Sequence, residues 1–148
     1  MSGTFHIEQI TVAEATIHAR QTGYTEDSTA VYNVQEIVKP DTTSEESSFQ
    51  FEIADINIKR SKVSLYSPDL LPDSSVSIQG IEARASFALK EEIEAQLSKL
   101  NFEIKEGRLP ESISFKASGS YENQQVTLQD LVLNTGRSLF KANGFANP

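Results

Sequence analysis

The feature that most constrains this sequence is a hydrophobic pattern that occurs twice, in residues 5–19 (FHIEQITVAEATIHA) and 51–65 (FEIADINIKRSKVSL). The two stretches are offset by 46 residues (5 to 51), and their large apolar positions coincide while the polar positions between them vary. Self-similarity at a fixed offset indicates an internal repeat. The matched pairs are Phe5 and Phe51, Ile7 and Ile53, Ile10 and Ile56, Val12 and Ile58, and Ile17 and Val63.

Both stretches alternate apolar and polar residues in steps of two, which is the period of a half-buried β-strand. The same alternation returns around Val76, Phe102, Phe115, Leu128 and Leu133, with Pro, Asp and Gly turn signals between the segments. Residues 39–50 carry mostly acidic, Ser and Thr side chains and almost nothing to bury, which predicts a loop. The sequence therefore predicts a chain made mainly of short strands.

A shorter pattern, apolar at positions i, i+3 and i+5, predicts bends within these strands. In a regular strand, residues i and i+3 point to opposite faces of the sheet. An extra residue between them, a β-bulge, is needed to keep all three on one face, and repeated bulges curve a sheet. Beyond the two long repeats, the pattern occurs as Ile78-Ile81-Ala83, Leu97-Leu100-Phe102 and Leu128-Leu131-Leu133.

Residues 90–100 fit two structures. Ile93, Leu97 and Leu100 have helical spacing, and the Glu, Ala, Gln and Leu content favours a helix. Phe87, Leu89, Ile93, Ala95 and Leu97 also alternate by two. We favour two strands joined by a turn at residues 90–92.

The predicted fold is a mainly β, antiparallel, twisted and bulged sheet, curled into an open groove or a sandwich, with internal repeats and at most one short helix. Its 148 residues suit a single module spanning residues 1–148. The apolar positions of the repeats either line an open groove or fill a closed core, and the pattern alone allows both. These candidate groove or core residues are Ile7, Ile10, Val12, Ile17, Ile53, Ile56, Ile58, Val63, Leu128, Leu131 and Leu133.

Composition argues against several functions. A net charge of −8 opposes contacts with nucleic-acid phosphates, and the absence of cysteine excludes disulfides, zinc–thiolate sites and thiol nucleophiles. No apolar run approaches the roughly 18 residues of a membrane-spanning helix, and no signal-peptide pattern is present. His6 and His18 occupy outward strand positions. With no nucleophile elbow or phosphate loop either, we predict neither an enzyme nor a metal or cofactor site.

Two segments carry a resemblance to a known family. Residues 51–66 (FEIADINIKRSKVSLY) and 97–144, with Leu109-Pro110, Leu128 to Leu133 and Thr135-Gly136, are similar to the recurring units of TamB/AsmA-like proteins. That family often has Asn-Gly after the apolar pattern, whereas this chain has Ala13-Glu14-Ala15 and Lys59-Arg60-Ser61. The resemblance covers most of the chain outside residues 23–50.

The resemblance implies large proteins, anchored in the inner membrane of diderm bacteria, whose β-sheets form a long apolar groove across the periplasm. Such proteins act in outer-membrane biogenesis, through lipid transfer or assistance to protein assembly. This chain would then be a non-catalytic periplasmic piece of a larger repeat protein, whose membrane anchor lies outside it. The implied partners are phospholipid acyl chains and outer-membrane assembly proteins.

A surface or extracellular β-sandwich for adhesion or carbohydrate binding is the alternative. It would need exposed Tyr, Asn or Asp side chains gathered at one end of the sheet. Tyr24 and Tyr121 are the candidates.

Overall fold

The computed structural model of the chain describes residues 4–24, 30–33, 50–67, 76–90, 92–107 and 111–147. These residues form nine β-strands and no α-helix. The strands are β1 (Thr4–Ala13), β2 (Thr16–Tyr24), β3 (Ala30–Tyr32), β4 (Gln50–Tyr66), β5 (Val76–Leu89), β6 (Ile93–Glu106), β7 (Ile113–Glu122), β8 (Gln125–Asn134) and β9 (Leu139–Ala146).

The described strands belong to one mixed sheet in the order β3-β2-β4-β5-β6-β7-β8-β9, with β1 also beside β4. From β4 to β9 every neighbouring pair is antiparallel, as predicted. β1 and β2 differ, because both run parallel to β4. β1 follows the first half of this 17-residue strand and β2 follows the second half.

The parallel pairs join the two copies of the internal repeat. Phe5 lies opposite Phe51, Ile10 opposite Ile56 and Ile17 opposite Val63, so the sequence offset is also the strand register. The backbone repeats as well. Glu14 has φ of 57° and its counterpart Arg60 has φ of 47°.

Hydrogen bonds tie these two matching bends together. The amide of Glu14 donates to the carbonyl of Lys59 at 2.9 Å, and the amide of Lys62 donates to the carbonyl of Ala15 at 2.8 Å. A guanidinium nitrogen of Arg60 also lies 2.6 Å from a carboxylate oxygen of Glu14. Equivalent residues therefore stack on one another across the strand pair.

Bulges occur at four places where the i, i+3, i+5 pattern predicts them, and β4 has further register shifts between Ile58 and Val63 that the pattern does not predict. Register shifts fall between Ile53 and Ile56 on β4, and between Gln79 and Glu82 on β5. They fall between Leu97 and Leu100 on β6, and between Leu128 and Leu131 on β8. The predicted bulges are confirmed at all four places.

The sheet is a single curled layer that stays open. Among the described residues, each strand contacts only the strands with which it is paired, so no second layer covers either face. The predicted fold class is thus confirmed in its open form, and the closed sandwich is not what these residues build.

Two of the predicted connections between strands can be compared with the structure. The segment at residues 90–100 is a strand–turn–strand, because β5 ends at Leu89 and β6 begins at Ile93. Asn123 and Gln124 form the two-residue hairpin loop between β7 and β8.

The predicted loop at 39–50 lies outside the described residues except Gln50, which already begins β4. The turn prolines at 68, 72 and 110 also lie outside them.

The short strand β3 pairs with part of the outer backbone edge of β2. The Asn33 side chain, which follows β3, accepts a hydrogen bond from the Arg20 amide at 2.8 Å and donates one to the His18 carbonyl at 3.2 Å. A side-chain amide thus replaces a backbone ladder there.

Candidate functional site: an apolar face of the sheet

Strand register places most of the apolar residues on one side of the sheet, which we call the apolar face. Residues directly opposite each other on paired strands share a face. Three rows cross the sheet from β1 to β9. The first is Ile7, Ile53, Phe87, Ala95, Tyr121, Val126 and Ala146; the second is Ile10, Ile56, Ala85, Leu97, Gly119, Leu128 and Gly144; the third is Val12, Ile58, Ala83, Leu100, Ala117, Leu131 and Ala142.

Further rows extend the apolar face on both sides of these three. All eleven predicted groove residues fall within the rows of this face, so the structure brings them together on one surface. These outer rows are Phe5, Phe51, Leu89 and Ile93; Ile17, Val63, Ile78, Ile104 and Ile113; and Phe102, Phe115, Leu133 and Phe140.

The apolar face is open to solvent. The only hydrophobic side chains classed as buried among the described residues are Ala19 and Ala88. Ile17 is 48% exposed and Val126 47%, and no large side chain of the described residues is fully buried. Large exposed apolar patches are typical of surfaces that contact other proteins, membranes or ligands.

The second and third rows alternate large and small side chains from strand to strand. In these two rows β4, β6 and β8 carry Ile or Leu, whereas β5, β7 and β9 carry Ala or Gly. Because strands lie about 4.8 Å apart, the large residues form ridges roughly 10 Å apart along the strands, with shallow furrows between them. Aromatic pairs lie near the ends of the rows, with Phe5 and Phe51 stacked at 5.7 Å and Phe102 and Phe115 at 4.7 Å between ring centroids.

The opposite side of the sheet, the polar face, is mainly hydrophilic. Asp55 accepts hydrogen bonds from Gln9 and from Arg84, each at 2.9 Å, and these contacts hold the pKa of Asp55 below its usual value of 3.8. Lys99 donates to Glu82 at 2.6 Å and lowers the pKa of Glu82 in the same way. The rows of the polar face include Asn57, Arg84 and Lys99; Ser86, Gln96, Ser120, Thr127 and Phe145; and Asn101, Lys116, Val132 and Lys141.

The two histidines lie apart on exposed strand positions. His6 Nδ1 is 3.4 Å from a carboxylate oxygen of Glu52, and the His18 ring tilts against Tyr66 at 6.4 Å. No group of three His, Asp or Glu side chains among the described residues is placed to hold a metal ion.

Tyr24 and Tyr121 do not form a common platform. Tyr24 ends β2, beyond the pair of Arg20 with Tyr66, whereas Tyr121 lies in the first row, which crosses β4 at Ile53. The two rings are therefore at opposite ends of the sheet, and Tyr121 belongs to the apolar face.

Reasoning from sequence did not find the small members of the face, such as Gly119, Ala142 and Gly144. No local signal marks them, because their role depends on which distant residues they face. The alternation of Ala or Gly on every second strand becomes visible only with the register.

Comparison of the chain with protein-family models, with curated proteins and with solved structures finds no match. Among the described residues, no helix is both long and apolar enough to cross a membrane. The apolar face itself is therefore what informs a functional proposal.

Proposed function

We propose that this chain is a non-catalytic module that holds phospholipid acyl chains against its apolar face. It would do so as a periplasmic part of a TamB/AsmA-like envelope protein, acting in outer-membrane biogenesis through lipid transfer or assistance to assembly. The observation that carries the proposal is an apolar surface that runs across the sheet from β1 to β9, over which no other described strand packs.

Burial of acyl chains supplies the driving force. Each methylene removed from water contributes about 0.8 kcal/mol, so a chain lying along several strands gains enough to be held. The headgroup stays in water at the rim of the sheet. Because the face is open along its length, a lipid can move along it without being fully rehydrated at each step.

The ridges and furrows of the apolar face support acyl chains as the ligand. Leu97 and Leu100 on β6 and Leu128 and Leu131 on β8 flank the small residues of β7. A furrow between two such ridges suits a narrow, flexible hydrocarbon chain better than a flat planar ligand. The adhesion alternative gains nothing comparable, because its two candidate tyrosines lie at opposite ends of the sheet.

Native mass spectrometry of the purified chain tests the proposal directly, with co-purified phospholipid as the readout. Leu131→Glu places a carboxylate in the third row of the apolar face, and we expect it to abolish lipid binding. Val132→Glu is the matched control on the same strand. Residue 132 lies on the polar face between Lys116 and Lys141, so this variant should bind lipid like the original chain.

Circular dichroism is the control measurement, and we expect it to show that both variants keep their β-strands. Lipid binding that survives Leu131→Glu, or that is lost equally in both variants, would argue against the apolar face as the lipid site. A chain that takes up no phospholipid, either on purification or from vesicles, contradicts the proposed function itself.

A further inference from the structure

The open edge of the sheet at β9 exposes large apolar side chains on both faces. Leu139 is 61% exposed, Phe140 55% and Phe145 75%. Phe140 lies opposite Leu133 on the apolar face, whereas Leu139 and Phe145 lie opposite Asn134 and Thr127 on the polar face. A binder of lipid on one face has no use for apolar residues on the other.

The outer backbone edge of β9 is also unpaired among the described residues, since β9 pairs there with β8 alone. Exposed edge strands usually carry several charged residues or a proline, which discourage pairing with other chains. In β9 (LFKANGFA) the only charge is Lys141. The strand therefore has the properties of an interface rather than of a protected edge.

The β9 sequence is complementary to itself in an antiparallel pair. Residues 139–146 are regular, with odd positions on the polar face and even positions on the apolar face. A two-fold axis through Ala142, perpendicular to the sheet, keeps each face on its own side. Leu139 then lies opposite Phe145 of the second copy, Phe140 opposite its Gly144, and Lys141 opposite its Asn143.

This register pairs the large side chains of Leu139 and Phe145 on the polar face. On the apolar face it pairs Phe140 with Gly144. Cross-strand pairs of large apolar side chains stabilise a sheet, and no like charges lie directly opposite each other. The opposite side of the sheet, where β1 and β3 lie, fits β9 less well. A second copy that offered β1 would place polar side chains such as His6 and Thr11 beside apolar ones of β9, and β3 has only three residues to pair.

We propose that two copies of this chain associate through β9, antiparallel and about a two-fold axis at Ala142, into one continuous sheet. The contact is isologous, because the same strand serves both partners. The two apolar faces lie on the same side of the joined sheet and form one longer surface. The interface itself does not depend on what the apolar face binds, so its test is separate from the lipid test.

Charged substitutions at the two facing positions test the register. Leu139→Lys alone, or Phe145→Glu alone, places a charge against a large apolar side chain in each half of the interface. In the double variant the introduced ammonium and carboxylate face each other twice. Within one chain the two positions are six residues apart (139 to 145), roughly 20 Å along a strand, so they cannot pair there.

Sedimentation velocity over about a hundredfold range of protein concentration gives the readout, because association follows mass action. We expect the original chain to change from monomer to dimer, each single variant to stay monomeric, and the double variant to regain the dimer. A monomer throughout, a dimer that both single variants keep, or a double variant that stays monomeric would overturn the proposal. Species larger than a dimer would also do so, since head-to-tail pairing of β9 with β1 produces open chains.

An engineered thiol gives a second measurement, because the chain contains no cysteine. Ala142→Cys puts the thiol beside its own symmetry mate, where directly opposite Cβ atoms are about 4.5–5.5 Å apart. A short bifunctional maleimide should then produce a covalent dimer. Ala117→Cys, on the same face but on β7 within the sheet, is the control and should remain monomeric; equal cross-linking of the two variants refutes an axis at Ala142.

Discussion

Asn123 and Gln124 show how single residues take on backbone strain in this chain. Their φ values are 52° and 57°, and they join β7 to β8 as a two-residue hairpin with Glu122 opposite Gln125. This is the geometry of a type I′ turn, for which Asn-Gly is strongly preferred. An L-residue with a Cβ is disfavoured in this region by about 1–2 kcal/mol, and glycine is not.

Gln124→Gly should therefore stabilise the folded chain by about 0.5–1 kcal/mol, once the greater freedom of glycine in the unfolded chain is subtracted. The free energy of unfolding in urea is the measurement. Gln124→Ala is the control: it removes the amide but keeps the Cβ, so it should change little. A glycine variant no more stable than the alanine variant would show that the positive φ is not a source of strain.

At the scale of strands, β7 and β8 approach so closely that one position has no room for a side chain unless the backbone moves. A Cβ on Gly119 would lie 2.5 Å from the carbonyl oxygen of Thr127, which belongs to the backbone and cannot move alone. Gly144 lies in the same row, on the other side of Leu128, and apart from its own chain neighbours no atom of the described residues comes within 4 Å of the corresponding Cβ position.

Gly119→Ala should destabilise the chain by about 1–3 kcal/mol, because the two strands must separate to admit the methyl group. Gly144→Ala should be neutral or slightly stabilising, since it only restricts the unfolded chain. Urea unfolding of both variants, at a protein concentration that favours the monomer, measures the difference. Equal effects of the two substitutions would mean that the close approach at Thr127 is not what requires glycine at residue 119.

The strands also show which parts of the fold can be predicted from the sequence. The i, i+3, i+5 spacing locates bulges such as Leu97 to Leu100, because a bulge leaves a local mark in the order of apolar residues. The pairing of β1 with β4 leaves no such mark. The repeat shows which residues match, but a match of apolar positions does not say that the two copies lie side by side, nor that they run parallel.

The candidate site follows the same division. Ile53, Val63 and Leu131 are recognisable as inward-facing from their own neighbours, so the sequence could name them. Whether their face is covered depends on the arrangement of the whole sheet, and the pattern of a sandwich core is the same. The ridges and furrows depend on pairs such as Leu128 with Gly119, which are distant enough in sequence that no local rule joins them.

For the whole molecule, a single curled layer with one apolar side exposes surface that most domains bury. Such a sheet gives up part of the hydrophobic stabilisation that a second layer would provide. A ligand can supply this missing hydrophobic stabilisation if it covers the apolar face of the folded chain and does not bind the unfolded chain. The stability of the chain should then depend on lipid.

We therefore expect phospholipid to raise the thermal unfolding midpoint. A ligand at about one hundred times its Kd adds about 2.7 kcal/mol to the free energy of unfolding. For a chain of this size, that is a rise of roughly 5–10 °C. Calorimetry with short-chain phosphatidylcholine below its micellar concentration measures it. Leu131→Glu should lose most of the rise and Val132→Glu should keep it, because only the first introduces a charge where the acyl chain lies; a midpoint that falls with added lipid would mean that the lipid prefers the unfolded chain and that the exposed face is not its site.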